Sequence, residues 1–109
     1  MAHYLIAQVK VNDDSWIPDY AANVHDIVHR HGGKYLSRSG NISALEGEKI
    51  SADLVAVIEF PTEDAMNAFM SDPEYAPYAK SRQAGTDSVL FGIDATDGAG
   101  TIPYLIEDS

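Results

Sequence analysis

The chain has 109 residues, with 17 acidic side chains against 7 Lys and Arg, a formal charge of -10 and no cysteine. That length suits one domain, and the missing cysteines exclude disulfides, thiolate nucleophiles and cysteine-held zinc or iron–sulfur clusters. The negative field opposes phosphate backbones and anionic lipid, so neither nucleic acid nor a membrane is an expected partner.

No apolar run approaches the roughly 20 residues of a membrane span. The opening Met1-Ala2-His3-Tyr4 lacks the basic-then-apolar pattern of a secretory leader. Together with the absent cysteines, this points to the cytoplasm.

In chain order, Tyr4 to Val11 alternates as a strand, with Leu5, Ala7, Val9 and Val11 on one face and Tyr4, Ile6, Gln8 and Lys10 on the other. Turn and capping residues follow from Asn12 to Ser15, then a helix from about Ser15 to Arg30. Its stripe of Trp16, Tyr20, Val24, Ile27 and His31 steps at helical spacing, and Gly32-Gly33 stops it. Lys34 to Ser39 reads as a second strand, with a bend at Gly40-Asn41 before Ile42 to Glu46. Asp53 to Phe60 is apolar on both faces and reads as a central strand. Thr62 caps a second helix carrying Ala65, Ala68 and Phe69. A further turn starts at Asp72-Pro73, and Pro77 predicts a break before a last turn through Lys80 to Ala84. Ser88 to Asp94 is the final strand.

The pattern predicts an α+β, ferredoxin-like βαββαβ domain over residues 1–94: a four-stranded antiparallel sheet with its helices on one face. Residues 95–109 read as a glycine-hinged apolar tail, and Ile102 to Ile106 is expected to dock on something. The uncovered face of the sheet, assigned Tyr4, Ile6, Val55, Val57 and Leu90, calls for a partner. A second copy of the chain, sheet against sheet, is the economical one, with a higher assembly through the tail as an extension.

Seven short segments then fall in one order: Tyr4-Leu5-Ile6-Ala7, Trp16 to Tyr20, Gly32 to Arg38, Leu45-Glu46-Gly47, Ile58 to Pro61, Ser71 to Tyr75 and Arg82-Gln83-Ala84. Over residues 3–94 they resemble the domain-of-unknown-function family numbered thirteen-thirty, within the dimeric α/β-barrel superfamily. The resemblance implies two sheets closing into one barrel across a dimer, with the helices outside. It implies no single reaction, since the superfamily includes cofactor-independent monooxygenases, muconolactone-type isomerases and haem enzymes. The apolar tail after Gly100 departs from the family core.

Glu59 is the leading candidate for chemistry. Leu54, Ala56, Ile58 and Phe60 form the helix-facing set of their strand, which turns Val55, Val57 and Glu59 towards the barrel interior. A carboxylate there would act as general base; alternatively it pairs with a cation at the strand end. Tyr35 joins it as a catalytic candidate, as does Arg38, which would clamp a substrate anion if a bulge near Gly40 turns it inward, or pair with Glu46 if not. Tyr35, Tyr4, Gln8, Ser37 and Ser88 are assigned to the same face as Glu59 and read as ligand contacts or interface residues. Tyr75 and Arg82 sit by a candidate pocket mouth, with Asp87 or Glu74 as alternative partners for Arg82.

His25, His29 and His31 read as a solvated helix face rather than a metal site, so no metal and no cofactor is expected. The resulting expectation is a homodimer that binds a small organic molecule in the barrel interior. Two readings stay open: a cofactor-independent isomerase, lyase or oxygenase with Glu59 as base, and a non-catalytic binding or structural dimer.

Overall fold

The computed structural model describes residues 1–98. Its elements are β1 (His3–Val11), α1 (Ile17–Arg30), β2 (Lys34–Ser39), β3 (Leu54–Phe60), α2 (Glu63–Met70), α3 (Ala76–Gly85) and β4 (Thr86–Asp94). The four strands form one antiparallel sheet in the order β2-β3-β1-β4, so the chain has the expected ferredoxin-like α+β fold. The predicted break at Pro77 falls one turn earlier: a turn closed by Asp72 separates α2 from α3, and Pro77 occupies the first turn of α3, where its missing N–H costs nothing. The segment between β2 and β3, including Ile42 to Glu46, carries no regular element.

Local chemistry explains the helix boundaries. Asp13 accepts the backbone N–H and the hydroxyl of Ser15, both at 3.0 Å, and so holds the turn into α1. Those bonds favour the ionised carboxylate and keep its pKa below the ordinary value. At the other end Gly32 takes a positive φ of 79°, which a side chain would resist. Thr62 accepts the N–H of Ala65 at 3.0 Å and caps α2 as expected.

The core between the sheet and the helices is uneven. At one end Leu5, Ile58 and Phe60 meet Val28, Phe69 and Tyr75, with the ring centroids of Phe60 and Phe69 5.7 Å apart. At the other end Ala7 and Ala56 lie directly opposite each other beside Val9, and their short side chains leave room under the N-terminal half of α1.

Register corrects three face assignments, the first being Tyr35, which pairs with the buried Ile58 and so faces the helices instead of sharing the Glu59 face. Leu90 pairs with Ala7 and Ser88 with Val9, so both face the helices; Val89, Phe91 and Ile93 occupy the open face instead. These three are 57%, 41% and 48% exposed, so the uncovered face is as apolar as expected although its members differ. The expected docking of Ile102 to Ile106 lies outside the described residues.

Candidate functional site

A cavity of about 380 Å³ fills the space above the two alanines. Its floor is the helix-facing side of the sheet, including Ala7, Val9, Ala56 and Leu90. Trp16, which immediately precedes α1, forms one wall with Tyr20 and His25 of that helix, Tyr35 and Arg38 of β2 form another, and Tyr75 and Arg82 line it from the α2–α3 side. It therefore lies inside one chain, on the opposite face of the sheet from the expected barrel interior.

The sequence-predicted residues divide between the two faces. Tyr35, Arg38, Tyr75 and Arg82 come together around the cavity. Glu59 does not: it stands opposite Tyr4 and Lys34 on the open face, where Gln8 and Ser37 also lie. Ser88 is separate again. It bounds a second, more open hollow of about 600 Å³, lined by Asp87 and also by Arg82 and Leu90, and donates its hydroxyl to Thr86, which in turn donates to the Arg82 carbonyl.

Arg38 reaches the cavity because β2 contains a bulge. Tyr35 pairs with Ile58 and Ser37 with its neighbour Val57, so Leu36 is an extra residue and Arg38 shares the Tyr35 face. The bulge lies nearer Tyr35 than the expected Gly40. The Arg38 guanidinium carbon sits 3.9 Å from the Tyr35 ring centroid, and its Nη2 donates to His25 Nδ1 at 3.0 Å. Arginine has no acceptor, so His25 presents an unprotonated Nδ1 in this arrangement. The His25 and Tyr35 rings stack nearly parallel, 5.3 Å apart. His25 thus belongs to the cavity wall and not to the solvated helix face expected for it. Glu46 makes no ion pair with Arg38.

Deeper in, the Tyr20 and Tyr75 hydroxyls are hydrogen-bonded at 3.1 Å. Burial, then the neighbouring Tyr75, pushes the Tyr20 pKa far above its ordinary value, and burial also raises that of Tyr35. Both phenols stay protonated at neutral pH and can serve as hydrogen-bond donors. Trp16 packs edge-on against Tyr20 at 5.1 Å and lies against Gly85, where any side chain would collide with the indole.

Arg82 is 4% exposed, and no carboxylate among the described residues comes within 4 Å of it. Glu74, one of its expected partners, is held by Arg30 at 2.6 Å, and Asp87 does not reach it. Its Nε has no hydrogen-bond partner.

Three residues of this site were missed by sequence reasoning. Trp16 and Tyr20 fall on one buried helical stripe and read wholly as core, because only strand pairing brings the two alanines together beneath them. His25 gave no signal, because its partners are set by the bulge. Among the described residues no group of three or more His, Asp or Glu is arranged to hold a metal, and no helix is long and apolar enough to cross a membrane.

Solved structures share this architecture. A protein of unknown function from Rhodopseudomonas palustris is 21% identical, with 88% of this chain and 83% of that one covered at a TM-score of 0.75. A cofactor-independent oxygenase from Streptomyces nogalater, SnoaB, is 16% identical over 94% and 97% at 0.61. A dimeric ferredoxin-like protein of unknown function from Thermobifida fusca is 17% identical over 86% and 91% at 0.54. At these identities the likeness is one of fold. No curated protein matches the sequence significantly. The sequence pattern of a domain of unknown function, DUF1330, spans residues 2–96, almost the whole described fold, and the chain belongs to that family.

Proposed function

We propose that this chain binds a small, largely apolar organic molecule in the cavity between its sheet and α1. The observation that carries this reading is the cavity itself: about 380 Å³, with an apolar floor and a few polar groups converging on it from the walls. Ligand sites typically occupy about 300–1,000 Å³ and combine those two features. Tyr35, Arg38, Tyr75 and Arg82 are the candidate contacts, joined by Trp16, Tyr20 and His25. The open face of the sheet, with Tyr4, Ile6, Val57 and Phe91, is where a second copy would dock, and Glu59, Gln8 and Ser37 fall in that interface.

Cofactor-independent turnover is the second reading, supported by the likeness to the Streptomyces nogalater oxygenase. Under it, His25, which lines the cavity, takes the base role first assigned to Glu59 once a bound substrate draws Arg38 away from its Nδ1.

Trp16 is the chain's one tryptophan and lines the cavity, so its emission reports occupancy. Titration with small apolar compounds should shift that emission saturably. Ala56→Leu, which fills the floor, should abolish the shift, whereas undiminished binding by that variant would place the site elsewhere.

A further inference from the structure

We infer that the molecule held in this cavity is an organic monocarboxylate whose carboxylate pairs with the buried guanidinium of Arg82. The inference rests on the cavity reading above and gives its ligand a chemical class.

Arginine keeps its charge at any pH a protein meets, so burial cannot be relieved by losing a proton. A buried cation is tolerated when an anion or a full set of acceptors surrounds it. Arg82 is 4% exposed, its Nε makes no hydrogen bond, and no described carboxylate lies within 4 Å. This occurs in a chain with 17 acidic residues, where a partner could have been supplied many times over. The acids nearby are otherwise engaged: Glu74 with Arg30, Asp72 with His31 at 2.7 Å, and Asp53, the acid that lines the cavity, with the Val11 N–H at 2.8 Å.

The surroundings then narrow the anion. Arg82 lines the cavity and sits close enough to Tyr20 to act on its phenol electrostatically. Of the mutually hydrogen-bonded Tyr20 and Tyr75 hydroxyls, one proton is taken by that bond and the other is left as a donor at the cavity, while Ala7, Ala56 and Leu90 offer only apolar surface. One buried positive charge balances a singly charged carboxylate. A phosphate, with close to two charges, would leave an uncompensated charge in the same apolar space. The other cation at the cavity, Arg38, is exposed at its wall and already engaged with His25 and Tyr35. A fork of parallel N–H donors suits the two carboxylate oxygens.

The test uses a matched pair transparent at the tryptophan bands, adamantane-1-carboxylate and adamantane-1-carboxamide, titrated into the full chain by calorimetry and Trp16 emission. The carboxylate should bind at least about tenfold more tightly and shift Trp16. Arg82→Gln should remove that preference while leaving carboxamide binding in place, and Arg82→Lys should keep part of it. Equal binding of acid and amide to the wild-type protein would overturn the carboxylate assignment and leave the cavity reading standing. That comparison needs no variant to fold. Carboxylate binding that leaves Trp16 silent would put the anion in the hollow beside Asp87 and would also overturn it. Binding of neither probe at millimolar concentration would overturn both.

Discussion

Both faces of this sheet are apolar, and they meet that condition in opposite ways. The helix-facing side is closed by its own chain, with Phe60, Phe69, Val24 and Val28 at or below 1% exposure. The other side leaves Val89, Phe91 and Ile93 between 41% and 57% exposed. The covered face is incomplete where Ala7 meets Ala56, and that gap is the cavity. Under the proposed function, one sheet separates two tasks: stability and ligand binding on the inner side, association on the outer.

Substitutions on the two faces should therefore have different consequences. The largest loss of fold stability is expected for Phe60→Ala, about 3–5 kcal/mol by chemical denaturation, because the ring is fully buried against Phe69 and α1. Arg82→Met should act in the reverse direction, adding about 1–3 kcal/mol by replacing an unpaired buried charge with an apolar side chain of similar reach. A melting temperature below wild type for that variant would show that the guanidinium has compensation within the chain. Thr62→Ala should cost about 1 kcal/mol through the lost cap of α2, with the cavity unaffected. Phe91→Lys, on the open face, should change the stability of an isolated chain by only about 0.5 kcal/mol, yet convert a dimer to monomer in sedimentation. A wild-type protein that sediments as a monomer would end the division of tasks between the faces.

The subtlest effect concerns pH and belongs to neither face. Asp72 is held below the ordinary aspartate pKa, first by the hydrogen bond with His31 and then by the Glu74 N–H. The folded chain thus binds this proton more weakly than the unfolded one. The stability so gained is complete above the unfolded value of about 3.9 and is lost as the pH falls through the folded value. Asp72→Asn should melt below wild type at pH 7, with the gap closing on acidification; a gap independent of pH would assign the effect to packing.

The fold was largely legible because its signals are local and mutually consistent. Thr62 caps α2, β3 alternates as read, and the glycine pair after Arg30 ends α1. The site was legible only in part. In β4 the run Val89-Leu90-Phe91 is apolar on both faces, so composition does not reveal its phase, and Ser88 and Leu90 were assigned to the wrong side. Glu59 was assigned to the correct side of β3, but the ligand-sized space lies on the other, created by two alanines that face each other only through pairing. His25 finds Arg38 and Tyr35 through contacts set by tertiary register, which helical spacing does not report.

Strand geometry is a parity rule, and the extra residue Leu36 inverts parity for everything after it in β2. Deleting Leu36 would remove the bulge yet leave Tyr35 opposite Ile58, Ser37 opposite Val57 and Arg38 opposite Ala56, so Arg38 would keep its place on the cavity side. Were the same residues to pair in strict alternation from Tyr35 onward, Arg38 would stand opposite Val55 with its charge on the outer surface, so the side on which that charge emerges is decided by the bulge and not by the identity of the residue.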